Sequence, residues 1–129
     1  MKYFFITFFF LSVGISNAQV NTIEKNSDAY DINNIDKKPE FPGGIGEFYK
    51  YIGKNYRMPN IKNLKGKLYI TYVINTDGNV VDIKVLKDLG YGTAEEAIRV
   101  LQASPKWIPG EQNGQKVRVQ YAIPISLQN

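Results

Sequence analysis

Leu68-Tyr69-Ile70-Thr71-Tyr72-Val73-Ile74-Asn75-Thr76-Asp77-Gly78-Asn79-Val80-Val81-Asp82-Ile83-Lys84-Val85-Leu86 decides the fold of this 129-residue chain. Leu68, Ile70, Tyr72 and Ile74 fall on every second position, the period that puts one face of a strand against a core. Asp77-Gly78 follows, and both residue types accept the positive φ of a tight turn. Val81, Ile83 and Val85 then resume the alternation, so the chain is predicted to return as an antiparallel hairpin, Leu68 to Asn75 against Val80 to Leu86.

Working outward, Phe41-Pro42-Gly43-Gly44 reads as a tight turn into a helix whose apolar stripe is Ile45, Phe48, Tyr49, Ile52 and Tyr56. The turn has neither the Walker nor the dinucleotide pattern, so it is not read as a phosphate loop. On the other side Gly90-Tyr91-Gly92 precedes a second helix, for which Thr93 and Glu96 form a capping box. Ala94, Ala97, Ile98 and Leu101 form its buried stripe, Glu95 and Arg99 an i, i+4 surface pair, and Pro105 its end. Trp107 is expected to plug the core. After a polar turn, Glu111 to Gln115, a third strand carries Val117, Val119, Tyr121, Ile123 and Ile125 on one face. Pro124 lies in that strand and has no N–H to give to a ladder, which places the strand at a sheet edge. The plan is an α+β fold, α-β-β-α-β, with two helices on one face of a three-stranded antiparallel sheet.

Ahead of this domain, Met1 to Ala18 has a basic start at Lys2, an apolar run from Tyr3 to Ile15 and the small-residue sequence Ser16-Asn17-Ala18. These are the marks of a secretory signal cleaved after Ala18, with retention as an uncleaved signal-anchor the other outcome. Export to the periplasm is expected. Residues 19 to 40 are polar and show neither period, and read as a flexible leader of at most about 75 Å. The domain is then 41 to 129.

Composition narrows the chemistry. The chain has no His and no Cys, which removes Ser-His and Cys-His nucleophiles, disulfides and the usual N and S ligands of zinc. Asp31, Asn33 and Asp36 lack the glycine and terminal Glu of a calcium loop. Adjacent Glu95 and Glu96 diverge by about 100° on a helix and do not make a carboxylate pair for catalysis. With 16 Lys+Arg against 12 Asp+Glu and no basic run, nucleic acid is not an expected partner. The reading is a non-enzymatic protein without cofactor or metal.

Six segments in this order and spacing resemble the TonB C-terminal-domain family: Pro39-Glu40-Phe41-Pro42-Gly43-Gly44, Gly66-Lys67-Leu68-Tyr69-Ile70, Asp77-Gly78-Asn79-Val80, Glu95-Glu96-Ala97-Ile98-Arg99-Val100, Pro105-Lys106-Trp107-Ile108-Pro109-Gly110 and Gly114-Gln115-Lys116-Val117-Arg118-Val119. The resemblance spans Pro39 to Leu127. It implies a periplasmic module that takes up an extended receptor segment, the TonB box, by strand addition along its third strand. Carried onto this sequence, the contact strand is Val117, Arg118, Val119, Gln120, Tyr121, Ala122 and Ile123, facing an outer-membrane TonB-dependent receptor. The family also touches receptors near a Tyr-Pro pair after the first helix; here the segment is Asn55-Tyr56-Arg57-Met58-Pro59, with Met58 in place of Tyr, and Arg57 is the candidate. Two alternatives use the same edge: self-association into a homodimer, and competition with a full-length transducer. No stable membrane insertion is expected of the domain.

Overall fold

A computed structural model describes residues 28–129; the expected signal and the first part of the leader lie outside the described residues. The elements in chain order are β1 (Tyr30–Asp31), a 3-10 turn (Ile32–Asn34), α1 (Ile45–Asn55), β2 (Lys65–Ile74), β3 (Val80–Lys87), α2 (Thr93–Gln102), β4 (Gly110–Gln112), β5 (Gln115–Val117) and β6 (Val119–Gln128). The hairpin forms as its alternation predicts. Around Asp77-Gly78 the Gly78 N–H donates to Asn75 O at 2.9 Å, with Gly78 at φ 88°. The Asp77 carboxylate accepts from the Asn79 N–H and holds the turn, and this bond draws its pKa below the ordinary value.

The α-β-β-α-β plan holds, with both helices covering one sheet face. Leu68, Ile70, Tyr72 and Ile74 of β2 and Ile123, Ile125 and Leu127 of β6 meet Phe48 and Ile52 of α1 and Ala97, Val100 and Leu101 of α2 in one buried cluster. Burying each large aliphatic side chain there is worth about 1.5–3 kcal/mol. Trp107, 3% exposed, sits among Phe41, Phe48, Tyr72 and Tyr121, with ring centroids 4.9 to 6.0 Å away. Its backbone N–H donates to Gly78 O at 2.9 Å, so the hairpin turn leans on the Trp107 segment. A Cβ on Gly78 would come within 2.2 Å of Trp107 O, which is why only glycine fits that turn.

Several local expectations are corrected. In α1, Ile45 and Tyr49 are exposed, while Tyr51 turns inward and donates its hydroxyl to Val100 O at 2.9 Å. The buried stripe centres on Phe48 and Ile52, and Tyr49 lies about 100° round from Phe48. In α2 the capping box is not made. Gly92, left-handed, occupies the cap, and Thr93 is already helical, its hydroxyl donating to Gly90 O and accepting from the Leu89 N–H. Val100 is buried where Ile98 is only half-buried. Arg99 pairs with Glu96, one turn away on the same side, and not with Glu95.

Two larger differences concern the sheet. It has four strands in the order β1-β6-β2-β3, because the described part of the leader returns to the domain and Tyr30–Asp31 pairs in parallel with Val119 and Gln120. The sheet is therefore mixed and not purely antiparallel. The leader then runs on past the start of β6, where Lys37 pairs with Glu111 and Glu40 with Ile108, and Pro39 is buried. Val117 belongs to a separate ribbon, β4–β5, closed by Asn113-Gly114 with both residues at positive φ. The chain changes sheet at Arg118.

Candidate functional site

The outer side of β6 follows from one hydrogen bond. Tyr30 donates its N–H to Arg118 O at 2.8 Å, so the backbone of Arg118 faces away from β2. Backbone groups alternate sides along a strand, and the β2–β6 register is unbroken from Lys65↔Gln128 to Ile74↔Val119. The N–H and C=O of Gln120, Ala122 and Ser126 thus face outward with the lone C=O of Pro124, while Val119, Tyr121, Ile123, Ile125 and Leu127 turn theirs to β2. Pro124 sits where a missing donor costs the fold nothing. β1 occupies the outward backbone as far as Gln120. Beyond it, from Ala122 to Gln128, no strand pairs with β6 on that side among the described residues.

The expected contact residues separate accordingly. Val119 and Ile123 are buried in the core, and Gln120 and Ala122 are exposed. Tyr121 stacks on Tyr72 with centroids 5.6 Å apart and donates its hydroxyl to Pro39 O at 3.1 Å. Burial, then the charge of Glu40, raises the Tyr121 pKa. Burial likewise keeps Tyr72 protonated, and its hydroxyl has no hydrogen-bond partner among the described residues. Arg118 is a junction: its guanidinium donates to Asp28 at 2.8 Å, Asp82 at 2.8 Å and Asn75 at 3.2 Å. It ties the leader, the hairpin end and the start of β6 together, a role its charge suits through several donors at once. Val117, in β5, stands outside the edge.

Arg57 is exposed and lies on the loop leaving α1. That loop is fastened to α2. The Arg57 N–H donates to Glu96 Oε2 at 2.8 Å, Arg99 donates to Asn55 O at 2.7 Å, and the Tyr56 hydroxyl donates to Thr93 O at 2.8 Å. The Arg99 guanidinium, with the Arg57 N–H, lowers the Glu96 pKa to about 2. Burial, then Glu96 and Glu95, pushes Tyr56 up to about 12. The fastening sets Met58 beside the open end of β6: Ile52, Gly53, Tyr56 and Met58 form one wall, and Ile125 to Gln128 the other, of a groove of about 170 Å³. Ser126 and Gln128, beyond the expected contact strand Val117 to Ile123, thus line this groove. The alternation through Leu127 was the available signal, since it continues the strand past Ile123.

The arrangement offers backbone donors and acceptors along a line, next to a half-apolar groove. Among the described residues no group of three or more His, Cys, Asp or Glu could hold a metal ion, and no helix is long and apolar enough to cross a membrane.

Comparison with known proteins places this fold in a family. The solution structure of the Helicobacter pylori TonB C-terminal domain (residues 194-285) is 24% identical and aligns over 65% of this chain and 91% of its own, with a TM-score of 0.47. That of the Pseudomonas aeruginosa TonB C-terminal domain is 17% identical over 80% of this chain and 96% of its own, with a TM-score of 0.46. No curated protein matches significantly. The sequence profile of the family described as Gram-negative bacterial TonB protein C-terminal matches residues 59–127, more than half of the chain. The match takes in β2 to β5, α2 and nearly all of β6, the strands that build the edge, and begins just after the Ile52 to Met58 wall beside it. The chain belongs to the TonB C-terminal family.

Proposed function

We propose that this domain binds an extended segment of an outer-membrane transport receptor, a TonB box, by adding it as a strand to the outer side of β6. The family supports a TonB-like role in energy transduction at the periplasmic side of the envelope. The observation that carries the binding reading is the outward backbone of β6 from Ala122 to Gln128, which has no strand partner on that side and bears only uncharged side chains. Ala122 and Ser126 offer donor and acceptor, and Pro124 an acceptor only. At roughly 0.5–1.5 kcal/mol net for each hydrogen bond, three to five bonds give a few kcal/mol. That is a weak, reversible grip suited to repeated engagement. The contact strand expected from the sequence therefore shifts toward the C-terminus: Ala122, Pro124, Ser126 and Gln128 face the partner, Gln120 lies under β1, and Arg57 and Met58 flank the site. Val117, Arg118 and Val119 take part only if β1 leaves.

Amide chemical-shift mapping of the protein against TonB-box peptides tests this. Shifts confined to Ala122 to Gln128 and the Tyr56 to Met58 loop are expected. Concentration-dependent dimerisation without any peptide response would replace receptor binding by self-association through the same edge.

A further inference from the structure

The half of the solvent face built by the start of β2 and the end of β3 carries one sign of charge, while Asp31, beside Gln120, and Asp82, on Arg118, lie at the opposite end. Lys65 and Lys67 alternate outward with Tyr69 along β2, opposite the buried Leu68 and Ile70. Across the ladder Lys84 pairs with Thr71 and Lys87 with Tyr69, so both project from the same face. The Lys87 ammonium lies 5.8 Å from the Tyr69 ring centroid. From Lys65 to the Thr71 row the lysines spread over about 20 Å of a continuous sheet. None of the four makes a salt bridge among the described residues. The exposed residues of β6 that complete this face are uncharged. The carboxylates nearest in sequence are engaged elsewhere: Asp82 holds Arg118, and Asp88 accepts the Gly90 N–H. Tyr69 is 42% exposed, and Leu86, in the bulge between Val85 and Lys87, is 67% exposed.

An ordinary solvated surface mixes both signs. A half-face with four lysines, no carboxylate among them and an exposed aromatic and aliphatic pair instead matches a plane of phosphates with apolar chains just beneath. We propose that this face rests on the anionic headgroups of a phospholipid bilayer, the ammonium groups reaching phosphates while Tyr69 and Leu86 enter the interfacial layer. The match is one of charge and shape: a sheet face meets many headgroups at once, whereas a single phosphate would touch one lysine or two. In this pose β6 lies at the side of the contact, its outer edge still open.

The experiment is vesicle co-sedimentation of the full chain with phosphatidylcholine alone and with about a third phosphatidylglycerol. Each lysine near an anionic surface strengthens partitioning about five-fold. Replacing Lys65, Lys67, Lys84 and Lys87 together by Gln should therefore erase the phosphatidylglycerol-dependent gain. Replacing Lys37, Lys38, Lys50 and Lys54 by Gln removes the same charge elsewhere and should leave most of it. The apolar N-terminal run is common to every variant and to both vesicles, so it cancels from the comparison. Equal binding of wild type and the first variant overturns the proposal, as does an equal loss in the second. Chemical-shift changes at the four lysines with inorganic phosphate as large as those with vesicles would reassign the face to free phosphate and overturn the bilayer.

Discussion

At one side of the sheet β3 follows β2 with two register shifts, Asp82 at φ 50°, and Asp82, Lys84 and Lys87 exposed. At the other, β6 keeps a single register with β2 over all of Val119–Gln128, and its exposed side chains there carry no charge. Both strands are edges, yet only one could accept another backbone cleanly. Bulges re-aim the outward N–H and C=O groups, and charges repel or desolvate badly against an incoming strand, the usual defences of an edge that must stay single. β6 has neither from Ala122 onward. Its first two residues are covered by β1, and its one irregular residue, Pro124, withholds a donor without bending the strand out of register. The molecule thus protects one flank and leaves half of the other available.

The largest expected effect breaks the frame that holds the two edges apart. Gly78→Ala puts a Cβ into Trp107 O and strains a residue at φ 88°. A loss of about 2–4 kcal/mol is expected, read as a lowered denaturation midpoint in urea. Hydrogen exchange should rise most in β3, whose turn has lost its seat. Uniform exchange in β3 and β6 would show that the edges share one cooperative unit.

Next in size, Ala122→Pro removes an outward N–H without touching the β2 ladder. Peptide affinity should fall at least about ten-fold, or about 1.4 kcal/mol, with a small change in melting temperature. Lys84→Glu on the defended edge should leave affinity within about two-fold. If the two variants act alike, the contrast between the edges has no bearing on binding.

The contrast was only partly legible in the chain itself. Period-two alternation in Leu68 to Ile74 and Val119 to Ile125 survives because one face is buried and the other wet, and Pro124 announces an edge by its missing donor. The bulges in β3 leave little trace: Val81, Ile83 and Val85 alternate, but Val81 pairs with Val73 on the solvent face while Val85 pairs with Ile70 on the core face. A two-residue strand such as Tyr30–Asp31 has no period at all, and its pairing depends on Arg118, distant in sequence. The misread cap has a local cause. Gly92 takes the left-handed conformation before the helix, which moves Thr93 inside it and frees Glu96 for Arg99 and Arg57. The loop from Asn55 to Pro59 was already a candidate contact in the sequence, so the wrong cap concealed only how Glu96 fastens it beside β6.

Glu96 gives a third, smaller effect, through pH. Its carboxyl is held at about 2 against an ordinary 4.5, chiefly by Arg99. The unfolded chain takes up the proton first on acidification, so the stabilisation is complete above about pH 4.5 and fades as the pH falls toward 2. Solvent screening limits it to about 1 kcal/mol. Glu96→Gln should cost that amount at neutral pH and flatten the acid limb of the stability curve. It should also loosen the Tyr56 to Met58 loop and weaken peptide binding a few-fold, with β3 unaffected. A mutant whose acid limb keeps the wild-type slope would move the origin of that limb elsewhere.

The smallest effect concerns the covered part of β6. Tyr30 is exposed and joins the sheet through its N–H to Arg118 O, with Asp28 reaching the Arg118 guanidinium nearby. A two-residue parallel pairing of this kind contributes about 1 kcal/mol or less, comparable with the gain from one or two bonds to an incoming peptide. Tyr30→Pro deletes the donor. If a bound segment extends past Ala122 toward Arg118, it must displace β1 in the wild type and need not in the variant, so affinity should rise about two- to five-fold and shift changes should spread to Gln120. Unchanged affinity, with shifts still ending at Ala122, would mean that the segment stops short of the leader. The two would then divide the edge of β6 between them at Gln120.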